Sequence, residues 1–145
     1  MSVKQLSVFV ENRAGRLSKI TRTLGDANIG IKAMSIADTK DFGILRLIVS
    51  DTDKALEILR ANDTAVTVTN VLAVRISDKP GGLAAAMDCL YAENISVEYM
   101  YAAFINEKDK SACVILRVDK LDEAVTALTD GGFDFVSEDE LKNRR

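Results

Sequence analysis

The chain has 145 residues, a formal net charge of −3, 48% apolar residues, no histidine and no tryptophan. Lack of imidazole excludes a histidine general base, Ser-His or Cys-His nucleophile pairs and histidine metal ligands, and Cys89 and Cys113 lack the paired spacing of a structural zinc site. No apolar run nears the roughly 18 residues of a membrane span, the start MSVKQLSVFVENR lacks signal-peptide character, and the interspersed charges form no basic cluster for nucleic acid.

A cytoplasmic, reduced chain with no cofactor and no metal is therefore expected. Along it, Leu6, Val8 and Val10 alternate with polar residues, the period of a strand with one buried face. Leu17, Ile20, Leu24 and Ala27 then recur at spacings of three and four, predicting an amphipathic helix that closes at Asn28, a residue tolerant of left-handed backbone. A hairpin is predicted from Ile31–Ala37 to Ile44–Val49 through Asp38-Thr39-Lys40-Asp41. A second helix starts after Asp51-Thr52-Asp53 with Ala55, Leu56 and Leu59 inward, and a strand over Ala65–Thr69 ends the series.

The same series then repeats. An offset of 66 places Leu6 on Leu72, Gly15 on Gly81, Leu24 on Leu90, Asn28 on Asn94 and Met34 on Met100. Past residue 105 the offset becomes 69, pairing Leu47 with Leu116, Asp53 with Asp122 and Leu59 with Leu128. The three extra residues fall in the turn Asn106-Glu107-Lys108-Asp109-Lys110, where insertion costs least. Two βαββαβ units follow, residues 1–70 and 71–145: an α+β fold of tandem ferredoxin-like units, each a four-stranded antiparallel sheet with two helices on one face. No Gly or Pro interrupts Val66 to Val74, so the connection should be stiff. The closing strand of the second unit is expected over Phe133–Val136.

Two matching loops join strand one to helix one: Glu11-Asn12-Arg13-Ala14-Gly15-Arg16-Leu17 and Ser77-Asp78-Lys79-Pro80-Gly81-Gly82-Leu83. Gly15 and Gly81 permit tight backbone geometry, and Pro80 presets φ near a helix start. Free N–H groups there suit a carboxylate, while Asn12 and Asp78 add oxygens able to take an ammonium group. On the residues alone, Asn12 and Asp78 are first of all ordinary N-cap and turn residues, and neither loop taken singly carries a functional claim.

The D/N-R/K-P/A-G-x-L loop, the Leu17-Ile20-Leu24 helix, the Asn28-Ile29-Gly30-Ile31 strand entry and the βαββαβ order resemble the ACT domain, a small-molecule regulatory module of amino acid metabolism, and both copies match. The stretches Ser35–Val49 and Tyr99–Ala102 are similar to small prokaryotic proteins made of two tandem ACT domains. That resemblance implies a non-catalytic protein that binds an amino acid or related metabolite between ACT units, with homo-oligomers and a biosynthetic enzyme as partners. Carried over by position, ligand contacts fall on Asn12, Arg13, Ala14, Gly15 and Leu17, on Asp78, Lys79, Pro80, Gly81 and Leu83, and on Ser96 of the second strand entry. Gly30 and Ser96 stand where some members have a ligand-touching Asn, and Ala14 replaces the usual proline, so the two sites should be unequal, copy two being nearer the common pattern.

Tyr99 and Tyr101 alternate on a strand and either line an apolar pocket or belong to core or interface. Arg13, Arg16, Lys19 and Arg22 read as a solvated helix face, with an acidic partner protein or phosphate as the alternative, Cys89 as off the core face, and Glu138-Asp139-Glu140 as solvated. An alternative function is a protein-interaction subunit of an amino-acid-metabolism enzyme with vestigial ligand sites. An enzyme fits worst, since neither a carboxylate pair nor an activated nucleophile is evident.

Overall fold

In a computed structural model of the chain, which describes residues 2–11, 13–38, 41–103 and 111–143, the elements run β1 (Val3–Glu11), α1 (Arg16–Asp26), β2 (Ile31–Asp38), β3 (Phe42–Val49), α2 (Thr52–Ala61) and β4 (Val66–Ser77). They continue with α3 (Gly82–Ala92), β5 (Val97–Ala103), β6 (Ser111–Val118), α4 (Leu121–Asp130), β7 (Asp134–Phe135) and α5 (Glu138–Lys142). Two compact units result, one of Lys4–Thr69 and one of Asn70–Arg145 with Met1–Val3. Within the first, strands are ordered β2-β3-β1-β4; within the second, β7-β4-β6-β5, so each unit uses one part of β4. Both are ferredoxin-like α+β units.

Register explains which residues face the helices. In the first unit Leu6, Val8 and Val10 share a face with Leu45, Leu47 and Val49, and α1 and α2 cover it with Ile20, Leu24, Ala55 and Leu59. In the second, Leu72, Val74 and Ile76 of β4 join Val114, Leu116 and Val118 beneath Ala86, Leu90, Ala124 and Leu128. A buried leucine contributes roughly 1.5–3 kcal/mol relative to exposure, which is why these stripes dictate element placement. Both first helices end as expected, with Asn28 (φ 60°) and Asn94 (φ 53°) left-handed. At α2, Asp51 is the N-cap and accepts the Lys54 N–H at 3.1 Å.

Four expectations need correction. The final strand is only β7, Asp134–Phe135, rather than Phe133–Val136. The acidic run is not merely solvated: it forms α5, in which Glu140 accepts two bonds from Arg75 Nη2, at 2.9 and 3.2 Å, and Leu141 is fully buried. Cys89 is not off the core but packs against the second cluster, its Sγ 2.4 Å from where a Cβ on Gly131 would lie. The period placed Cys89 outward because it follows Met87 and Leu90 only loosely, whereas small Gly131 at the end of α4 leaves a pocket for sulfur. Arg16 is half-buried rather than solvated. The turn residues Thr39 and Lys40 and the insertion at 106–110 lie outside the described residues. Among the described residues, no helix is long and apolar enough to cross a membrane.

Candidate functional site

Each unit passes from its first strand into its first helix through a loop ending in a left-handed glycine. Gly15 (φ 89°) and Gly81 (φ 88°) occupy the N-cap positions of α1 and α3, and neither helix has a side-chain cap. Loop carbonyls take the first helical amides: Arg16 N–H donates to Arg13 O at 3.3 Å, and Gly82 N–H to Lys79 O at 3.0 Å. Intrahelical bonding begins with Lys19 N–H to Gly15 O and Ala85 N–H to Gly81 O, each 3.0 Å. The amides of Leu17 and Ser18, and of Leu83 and Ala84, make no hydrogen bond among the described residues. Each helix thus presents a pair of unsatisfied donors at its positive end, where the macrodipole favours an anion.

The capping expectation for Asp78 is not met: its carboxylate is exposed and makes no bond among the described residues, because glycine takes the cap. Pro80 sits before that cap rather than at the first helical position. Lys79 is exposed, as is Ala14, and Arg13 Nε pairs with Glu11 Oε2 at 2.9 Å in an exposed bridge. Asn12 lies outside the described residues. Leu17 and Leu83 begin the apolar stripes yet remain 42% and 37% exposed, next to the free amides rather than in the cores. An apolar side chain beside two N–H donors could hold the two halves of a small amphiphilic acid.

The remaining residues are dispersed within the second unit. Ser77 of β4 pairs with Ser111 and Val97 of β5 with Val118, so Ser96 lies at the opposite end of the sheet from Asp78, on the order of 20 Å away by strand rise. Its exit is tied down: Ser96 N–H donates to Asp119 Oδ1 at 3.0 Å, as Gly30 N–H donates to Ser50 Oγ at 2.9 Å. Tyr99 and Tyr101 lie opposite Arg117 and Ile115, half-buried on the face away from the helices. One unit therefore does not bring its loop, Ser96 and tyrosines together.

Two features escaped the sequence. A Cβ at Gly82 would lie 2.3 Å from Ser77 O, so the second loop closes against its helix and admits only glycine. At the equivalent first-unit position stands Arg16, whose Nε is buried without a hydrogen-bond partner among the described residues. The Arg16/Gly82 mismatch was the available signal. The other feature is apolar exposure at the edge strands: Met34 and Ile36 of β2 and Met100 of β5 share the helix-facing side with core leucines but stay about half exposed.

Comparison with curated proteins finds no match. Among solved structures, protein BT0572 from Bacteroides thetaiotaomicron is 40% identical, with a TM-score of 0.91 over 99% of this chain and 97% of that one. The ligand-free regulatory subunit of aspartate kinase from Thermus thermophilus shares the fold at 13% identity, TM-score 0.62, over 88% of this chain and 91% of that one. Its counterpart from Thermus flavus does so at 14% identity and TM-score 0.62, over 89% and 92%. The sequence profile of the ACT domain pair matches residues 1–144. The paired left-handed glycine loops thus sit in a chain that belongs to the ACT domain pair family.

Proposed function

We propose that this ACT domain pair is a non-catalytic regulatory protein that binds a small amino acid or related metabolite between ACT units and couples occupancy to its own assembly or to a partner enzyme. The observation carrying this reading is the duplicated helix start at a left-handed glycine, where the amides of Leu17 and Ser18 and of Leu83 and Ala84 make no hydrogen bond among the described residues and lie beside an exposed leucine. The amides receive the carboxylate, Asp78 and Asn12 lie in the loops that would take the ammonium group, and Leu17 or Leu83 borders the side chain. Ser96, Tyr99 and Tyr101 lie away from their own loop, so in this reading they serve the loop of a neighbouring ACT unit. Edge strands β2 and β5, with Met34, Ile36 and Met100 exposed, support association with further units.

Calorimetry and a thermal-shift screen against the proteinogenic amino acids and branched 2-oxo acids test it. A ligand at about 100 times its dissociation constant adds about 2.7 kcal/mol of stability. Gly15→Asp and Gly81→Asp place a negative side chain at the donors and should abolish the response. No heat and no shift with any compound would overturn the proposal. The second reading, an interaction subunit with vestigial sites, rests on the same exposed edges; recovery of a biosynthetic enzyme irrespective of added amino acid would favour it.

A further inference from the structure

The first helices of the two units occupy equivalent places but have diverged in charge. On α1 stand Arg16, Lys19 and Arg22 against the single acid Asp26; α3 has only Asp88, and neither α3 nor α4 contains lysine or arginine. A surface groove of about 360 Å³ runs along α4 and the end of α3, lined by Glu93, Asp122, Glu123, Thr126, Ala127 and Asp130. By the repeat offsets, Glu93, Glu123 and Asp130 stand where the first unit has Ala27, Lys54 and Ala61. Lys120, at the start of α4, has its Nζ on Asn94 O at 3.3 Å.

These charges are not consumed locally. Lys19, Arg22, Asp122, Glu123 and Asp130 are exposed, and among the described residues none is in an ion pair. Surfaces ordinarily intersperse both signs; single-sign faces repel copies of themselves and attract their complement. The chain carries both members of such a complement, one in each unit. We propose that the basic face of α1 docks into the acidic groove of α4 on a second copy of this chain. Made reciprocally the contact closes a dimer; made once it leaves a free basic face and a free groove, and propagates. It needs no ligand and does not depend on the loop sites.

Sedimentation velocity of the full chain reads it out. Association is expected to weaken at least about tenfold between about 20 mM and about 500 mM salt, where the Debye length drops to a few ångströms. Lys19→Glu with Arg22→Glu should produce the same loss at low salt, as should Glu123→Lys with Asp130→Lys, and mixing the two variants should restore a heterologous complex. Assembly that is indifferent to salt and survives both charge reversals, as pairing through apolar strand edges would, overturns the proposal; so does a monomer at low salt. The salt titration uses the unaltered chain, so the outcome stands even if a variant folds poorly.

Discussion

Gly82→Ala isolates what the second loop costs to open. The new Cβ would lie 2.3 Å from Ser77 O and 3.4 Å from Ile76 Cγ2, whereas a carbon and a carbonyl oxygen ordinarily rest more than 3 Å apart. The obstacle is backbone: Ser77 closes β4 opposite Ser111 of β6, so relief needs either α3 or the strand end to shift by close to an ångström. Overpacking of this kind costs about 1–3 kcal/mol, partly offset by up to about 1 kcal/mol from alanine's better helix propensity. The net loss, about 1–2 kcal/mol, corresponds to a fall of several degrees in melting temperature for a chain of this size. Differential scanning calorimetry measures the fall, and amide exchange at Gly82 and Ala85, whose N–H groups donate to Lys79 O and Gly81 O, localises it. Gly81→Ala meets open space and carries only the left-handed penalty of about 1–2 kcal/mol, without the exchange signature of a displaced strand end. A Gly82→Ala chain as stable as the parent, with unchanged exchange around Ser77, would refute the reasoning.

Gly131→Ala should destabilise by about 1–3 kcal/mol through its contact with Cys89 Sγ, and Cys89→Ala should rescue most of it; a double-mutant cycle on denaturant midpoints shows whether the coupling exceeds about 0.5 kcal/mol. Leu141→Ala should cost about 2–5 kcal/mol, since the side chain is fully buried, whereas Glu140→Gln removes a half-exposed ion pair with Arg75 and should cost less than about 1 kcal/mol, both read by urea denaturation. Leu24→Ala and Leu90→Ala, equivalent by the repeat and both buried, should each lose about 2–5 kcal/mol, measured by loss of amide protection confined to the unit mutated. Asp51→Ala should cost about 1 kcal/mol through loss of the bond to Lys54 N–H, read as a lowered melting temperature.

The fold was legible because its signals are periodic and occur twice: alternation at Leu6, Val8 and Val10, the helical stripes of Ile20, Leu24 and Leu59, and their repeats at Leu72, Val74, Leu90 and Leu128 all mark buried faces. Single-copy features were not legible. Helix α5 has no counterpart in the first unit, and its five residues are too few for a period; Leu141 becomes a core residue through tertiary position alone. The loops were found through Gly15 and Gly81, but not the inversion of their capping logic. An Asp before a helix reads as a cap until a left-handed glycine displaces it, as at Asp78. Whether Arg16 is solvated depends on a neighbouring backbone path that no local pattern encodes.

The closure of Ser77 O over Gly82 also bears on how the two halves can diverge. After a duplication both loops start equal, and each may explore substitutions at the first helical position. Once a carbonyl occupies the space a side chain would need, every single change at residue 82 meets backbone, while residue 16 already carries a long side chain and can vary further. Mutational freedom at this position is therefore one-sided: chemical novelty accumulates in the first loop, and the second is held to the shape it had when it closed.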